Sequence, residues 1–96
     1  MKPSLALASH REAIRRVVAS HRACKPRVFG SVIYGEDKED SDLDILIDPT
    51  SETTLMGVAA IQVELEGLLG VPVDVLTPKA LPEKFRGRVL FEAVPL

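Results

Sequence analysis

The sequence predicts a small α/β (α+β) domain in which helices flank a mixed β-sheet, in the order α-β-β-α-β-α. Three observations carry this prediction: two long segments with apolar residues at helical spacing, short runs that alternate between apolar and polar residues, and Pro or Gly at the ends of these segments. The 96 residues allow a single domain over residues 1–96, and the 46% hydrophobic content argues against disorder.

The first predicted helix covers roughly residues 4–23, with Pro26 expected to end it. Its apolar face recurs at helical spacing and comprises Leu7, Ile14, Val17, Val18 and His21. A short β-favouring run then covers residues 27–29, and the charged stretch 35–41 has no hydrophobic period. We therefore expect a strand followed by an exposed loop.

The second predicted strand is the clearest in the chain, because Leu43, Ile45 and Ile47 alternate with other residues at period two. The run Pro49-Thr50-Ser51 ends it and can cap a second helix near residues 53–69. The apolar face of that helix is expected to contain Val58, Ile61, Leu65 and Leu68. Gly70 followed by Pro72 is a typical stop signal.

The last third of the chain predicts a strand over residues 71–77 and then a helix that begins near Pro82. The apolar residues of this final helix are Phe85, Val89 and Ala93. Met56 and Val63 fall outside the main apolar face of the second helix, so they either contact a partner or are ordinary scattered surface residues.

The net charge of −2 conceals a strong division along the chain. Residues 1–27 carry a net charge of +6, residues 28–48 carry −6 and the remainder carries −2. A basic first helix suits an anionic ligand, but it lacks interleaved aromatic residues, so direct binding of nucleic acid is not expected.

Composition also excludes several classes of protein. The longest uncharged apolar run, residues 55–61, is far shorter than the ~18 residues that span a bilayer, so no membrane association is expected. The start of the chain lacks the core of a signal peptide. Cys24 is the single cysteine and cannot form an internal disulfide. We expect a cytoplasmic protein.

Three aspartates stand where strand packing does not favour them. Asp42 and Asp44 project from one face of the second strand, and Asp74 lies within the apolar run 73–75. If the two strands are neighbours, the three carboxylates can converge and favour a hard cation such as Mg²⁺. Alternatively, Asp42 caps a turn, Asp44 lies on a solvent-facing edge and Asp74 pairs with an arginine such as Arg27.

Gly30-Ser31, at the end of the first predicted strand, adds a second element to this pattern. A glycine lets the backbone approach a phosphate closely, and the Ser31 hydroxyl can donate a hydrogen bond to it. A Gly-Ser pair is uninformative alone. Here ten residues separate the Gly-Ser pair from an Asp-x-Asp motif, and a further aspartate follows in a later strand. This combination indicates a site for phosphate and metal.

These residues resemble the signature of the minimal nucleotidyltransferases, small members of the DNA polymerase β superfamily. The resemblance covers about residues 10–96, and its segments are 28–31, 35–36, 41–48, 65–70, 73–78 and 88–96. It implies the nucleotidyltransferase fold, with Asp42, Asp44 and Asp74 as catalytic residues that bind two Mg²⁺ ions. It also implies that Gly30 and Ser31 hold the β- and γ-phosphates of ATP. Tyr34 departs from the pattern, since many members carry arginine there.

The resemblance implies transfer of AMP from ATP to a protein hydroxyl. Such enzymes typically pair with a HEPN-domain protein, often a toxin, which they neutralise as antitoxins. A tyrosine of that partner would be the acceptor, and a hetero-oligomer is expected. Two alternatives stay open: an antitoxin that masks its HEPN partner by contact alone, and an ATP-binding regulatory module without transfer.

Overall fold

The computed structural model describes residues 1–96 and contains a four-stranded sheet of order β3-β2-β1-β4. The elements in chain order are α1 (Pro3–Ser20), β1 (Ala23–Phe29), β2 (Leu43–Pro49), α2 (Leu55–Leu69), β3 (Val73–Leu76), α3 (Glu83–Glu92) and β4 (Val94–Pro95). Strand β1 is antiparallel to β2 and β4, whereas β2 and β3 are parallel. The predicted mixed α/β architecture is thereby confirmed.

The junction between α1 and β1 differs from the prediction, because Pro26 lies within β1 and does not end the helix. Helix α1 ends at Ser20, and the chain turns at Arg22, whose φ is 66°. The hydroxyls of Thr50 and Thr53 donate to the Arg22 carbonyl at 2.6 and 2.5 Å, which fixes this turn. Pro26 is tolerated because the β1–β2 register shifts between Cys24 and Arg27, and such a bulge does not need every backbone N–H.

One face of the sheet packs against α1 and α2 and forms the core. The side chains of Leu43, Ile45 and Ile47 from β2 are fully buried there, as their alternation predicted. On α2 the buried residues are Ile61, Leu65 and Leu69, whereas Leu68 is 39% exposed. The prediction that Leu68 lies on the buried face is therefore wrong, because the face of α2 that contacts the sheet repeats every four residues.

The predicted C-terminal end of α2 is confirmed, but the expected cap at residues 49–51 is wrong, because the helix begins at Leu55 and Thr54 caps it. The Thr54 hydroxyl accepts a hydrogen bond from the Gly57 N–H at 2.9 Å, and Gly70 ends the helix with a φ of 70°. Two short 3₁₀ helices, Gly30–Tyr34 and Pro78–Ala80, and the two-residue strand β4 were not predicted. No helix in the structure has the length and apolar character needed to cross a membrane.

The acidic loop after the first 3₁₀ helix is attached to the start of α1. A carboxylate oxygen of Asp37, which is only 7% exposed, accepts a hydrogen bond from the Ser4 N–H at 2.9 Å. This bond lowers the pKa of Asp37 below its usual range. The loop is thus held in place by the Ser4 N–H, which has no partner within the helix, and the end of the loop leads directly into β2.

Candidate active site

A row of three side chains crosses the sheet on the face opposite the core. In the strand register, Asp44 of β2 is paired with Phe29 of β1 on one side and with Asp74 of β3 on the other. Directly paired residues project from the same face of a sheet. The structure therefore places Asp44 and Asp74 side by side, although 30 positions separate them in the sequence.

The environment of Asp44 favours the binding of a cation. The pKa of Asp44 is raised to about 6, mainly because the side chain is half-buried and also because the charges of Asp74 and Asp42 are close. All three aspartates therefore contribute to one electrostatic site, even though Asp42 itself is exposed just before β2. A divalent cation would relieve this repulsion.

Asp74 is exposed, contrary to the expectation of a buried carboxylate in β3. Successive residues of β3 project from opposite faces of the sheet, so Val73 and Val75 are buried in the core, whereas Asp74, on this edge strand, faces solvent. The alternative in which Arg27 pairs with Asp74 is wrong, because the Arg27 guanidinium binds the Asp48 carboxylate at 2.6 Å. Asp74 is thus accessible to another molecule.

Gly30 brings the backbone directly against the Asp44 carboxylate. Its φ is 80°, and a Cβ atom at this position would lie 2.2 Å from Asp44 Oδ2. A side chain here would therefore both strain the backbone and collide with the carboxylate. Gly30 also begins the 3₁₀ helix in which Ser31 is the next residue, so the pair expected to bind phosphate begins at the Asp44 carboxylate.

The donor set fits Mg²⁺, although no three Asp, Glu, His or Cys side chains are gathered closely enough to form a complete metal cluster. Mg²⁺ usually binds to one or two carboxylates and takes its remaining ligands from water and phosphate oxygens. The neighbouring Asp44 and Asp74, with the nearby charge of Asp42, provide such a set of oxygen ligands.

A cleft of about 180 Å³ adjoins this row between the first 3₁₀ helix and α3. Its lining includes Phe29, Gly30 and Tyr34 on one side and, from α3, Phe85, Arg88, Val89 and Glu92. The guanidinium of Arg88 donates to the Tyr34 hydroxyl at 3.3 Å and to Glu92 at 3.0 Å. Arg88 was not singled out in the sequence, although these α3 residues share one helical face.

Comparison with protein families gives a match over most of the chain. The model of the nucleotidyltransferase domain matches residues 11–96. The chain is 36% identical over 78 residues to a protein of Methanocaldococcus jannaschii assigned as a protein adenylyltransferase, with 81% of this chain and 84% of that protein covered. It is 42% identical over 67 residues to the protein adenylyltransferase MntA of Thermococcus cleftensis, with 70% and 68% covered.

Two solved structures share the architecture. A chain assigned as a minimal nucleotidyltransferase superimposes with a TM-score of 0.86 at 45% identity, and the match covers 97% of this chain and 95% of that one. A toxin–antitoxin structure with AMP-PNP matches with a TM-score of 0.73 at 16% identity, covering 88% and 69%. This second likeness shows the fold alone.

Proposed function

The chain belongs to the nucleotidyltransferase domain family and is a nucleotidyltransferase, and we propose that it transfers AMP from ATP to a hydroxyl group of a partner protein. The observation that carries this proposal is the pairing of Asp44 with Asp74 beside the Gly30 turn. The names of two relatives, both protein adenylyltransferases, support a protein as the acceptor.

In this proposal Asp42, Asp44 and Asp74 hold two Mg²⁺ ions. When bound, such ions supply Lewis-acid polarisation of the α-phosphoryl group and compensate the charge of the pyrophosphate leaving group. The raised pKa of Asp44 supports this assignment, since the three carboxylates repel one another without a cation.

The chain's own residues orient the reactants and move one proton. Gly30 and Ser31 bind the β- and γ-phosphates through backbone N–H groups and the serine hydroxyl. Asp74 accepts the proton of the acceptor hydroxyl while the hydroxyl oxygen forms a bond to the α-phosphorus. The bond from the α-phosphorus to the bridging oxygen breaks, and pyrophosphate leaves. The exposure of Asp74 supports this role, because a protein acceptor must reach it.

The partner in this proposal is a HEPN-domain toxin, with one of its tyrosines as the acceptor and this chain as the antitoxin. The resemblance to the minimal nucleotidyltransferases supports it, and a toxin–antitoxin structure has the same fold. The exposed face of α2 supplies apolar surface for docking, with Leu55, Met56 and Val63 exposed by 88, 84 and 68%.

Co-expression with the HEPN-domain protein tests this proposal. Intact-mass spectrometry of the partner should show steps of one adenylate, ~329 Da for a transferred monophosphate that replaces a hydroxyl hydrogen. The double variant Asp42→Ala/Asp44→Ala should still bind the partner but leave it unmodified and toxic. If the double variant neutralises the toxin as well as the wild type does, and neither produces a mass shift, the partner is masked by contact alone.

The regulatory alternative is tested with α-labelled ATP. A module that only senses nucleotide binds Mg-ATP without passing label to the partner and without releasing pyrophosphate. Release of pyrophosphate that requires both the partner and Asp74 supports the transferase, and binding without any release contradicts it.

A further inference from the structure

Arg88 is the only cationic residue that lines the cleft beside Gly30. The neighbouring site is strongly acidic, because Asp42, Asp44 and Asp74 act on one another and residues 28–48 carry a net charge of −6. A nucleoside triphosphate at Gly30 brings several further negative charges. A cation contributed by the chain would therefore be most effective on the side of Gly30 away from the carboxylates.

The order of the strands gives the direction in which the substrate lies. Asp74, Asp44 and Phe29 occupy successive strands of the sheet, each about 4.8 Å apart. With the acceptor at Asp74 and the α-phosphorus at Asp44, the β- and γ-phosphates extend over Gly30, which follows Phe29. Arg88 lies close to this position, because it lines the same cleft as Phe29 and Gly30.

The position of helix α3, which carries Arg88, is fixed by contacts with the rest of the chain. Helix α3 is attached to the preceding segment by the Arg86 guanidinium, which donates to the carbonyls of Pro78 and Leu81 at 2.8 and 3.0 Å. The Tyr34 hydroxyl then accepts a hydrogen bond from Arg88 at 3.3 Å, which directs the guanidinium toward the first 3₁₀ helix.

Arg88 is also free to exchange its present partner for an anion. Its ion pair with Glu92 joins residues one helical turn apart, and the Arg88 side chain is 67% exposed. Exposed pairs of this kind contribute little stability, so a phosphate can replace the carboxylate at small cost.

We propose that Arg88 binds the β- and γ-phosphates of the substrate and then the pyrophosphate product, held toward them by the Tyr34 hydroxyl. This inference rests on the proposed function. It assigns to α3, which contributes none of the carboxylates, the positive charge that completes the triphosphate site. Tyr34 is a positioning residue in this arrangement.

Titration calorimetry with Mg-pyrophosphate, Mg-ATP and AMP tests the proposal without any transfer reaction. The variant Arg88→Gln should bind Mg-pyrophosphate and Mg-ATP about tenfold more weakly, as expected for the loss of one charge-assisted contact, and should bind AMP as the wild type does. The control Lys84→Gln removes the same charge from the same helix outside the cleft, and it should leave all three affinities unchanged.

A second pair of variants separates direct binding from a structural role. Tyr34→Phe should weaken Mg-pyrophosphate binding by about threefold, because Arg88 loses the hydroxyl that orients it. In the double variant Tyr34→Arg/Arg88→Gln, a guanidinium returns to the same place from the 3₁₀ helix, and most of the pyrophosphate affinity should return.

Two results would overturn the inference. One is equal pyrophosphate affinity in Arg88→Gln and wild type, and the other is an equal loss in Lys84→Gln, which would indicate only a general charge effect. The outcome does not depend on the proposed acceptor. Pyrophosphate binding that depends on Arg88, without any AMP transfer, supports this inference and contradicts the proposed function. AMP transfer without such binding supports the proposed function and contradicts this inference.

Discussion

The two faces of the sheet serve different purposes, and β2 contributes to both. On the core face, Ile45 is fully buried between the helices, whereas its neighbour Asp44 on the opposite face has a pKa raised to about 6. The core face gains stability from burial, and the site face brings like charges together at a cost to stability. Substitutions at adjacent residues of β2 should therefore have separable effects, with Ile45 affecting folding and Asp44 affecting the chemistry.

The division between the two faces is not complete along the length of β2. Beyond Asp44 the site face is closed by Leu46, which is fully buried, and then by the Arg27–Asp48 ion pair. The end of the sheet near Gly30, where Asp74 is exposed, is more open. The open region is therefore a site confined to one end of the strands rather than a generally polar surface.

The largest separation is expected for Asp74→Asn on the site face. Loss of a carboxylate that accepts the acceptor's proton should reduce AMP transfer by roughly 10²- to 10⁴-fold. Because Asp74 is exposed, the free energy of unfolding of the protein should change by less than about 0.5 kcal/mol in this variant. Label transfer from α-labelled ATP and urea unfolding measure the two effects. Near wild-type transfer would show that Asp74 has no part in the chemistry.

The opposite pattern is expected for Ile45→Ala on the core face. Truncating this fully buried side chain should lower the free energy of unfolding by about 3 kcal/mol, through lost burial and the cavity that remains. Ile45→Val, the matched control, should lose about 1 kcal/mol. At a temperature where the variant is still folded, transfer per folded molecule should equal that of the wild type. A loss of transfer beyond the unfolded fraction would contradict the separation of the two faces.

Gly30→Ala changes the point at which the backbone meets the site face. The added Cβ at a φ of 80° and 2.2 Å from Asp44 Oδ2 should cost about 1–2 kcal/mol and displace the carboxylate. Gly67→Ala is a suitable control, since Gly67 lies in α2 with no atom near its missing Cβ, and this change should stabilise the protein by about 0.5–1 kcal/mol. Urea unfolding of both variants measures the difference, and equal effects of the two changes would contradict the close packing at Gly30.

The last expected effect is the pH dependence of stability caused by Asp44. Its pKa is raised from 3.8 to about 6, so the folded protein holds a proton that the unfolded chain has released. Stability should therefore fall as the pH rises between about 4 and 6, by about 1–2 kcal/mol after allowance for solvent screening of a half-exposed group. Urea unfolding of wild type and Asp44→Asn across this range measures it.

The expected difference has a definite direction. The Asp44→Asn variant should be the more stable protein at pH 7 without metal, and millimolar Mg²⁺ should stabilise the wild type more than the variant. A wild type whose stability rises from pH 4 to 6 relative to Asp44→Asn would show that the carboxylates do not repel one another as the structure indicates.

The sequence by itself determined the local features of this protein. The alternation of Leu43, Ile45 and Ile47 predicts a strand with one buried face, and Gly70 predicts the end of α2, because both patterns depend only on neighbouring residues. The spacing of Asp42 and Asp44 predicts two carboxylates on one face of a strand, but β2 begins at Leu43 and Asp42 lies just before it. The roles of Asp42, Asp44, Asp74, Gly30 and Ser31 as ligands stay predictions.

Only the tertiary structure decided what depends on distant parts of the chain. The pairing of Asp44 with Asp74 follows from the parallel register of β2 and β3, and the exposure of Asp74 follows from the edge position of β3. Pro26 is accommodated by a bulge against β2, and Arg88 reaches Tyr34 from a helix 54 positions away. Periodicity records which face of an element is apolar, but register, edge position and contacts between elements arise when distant segments pack together. The local pattern therefore leaves them open.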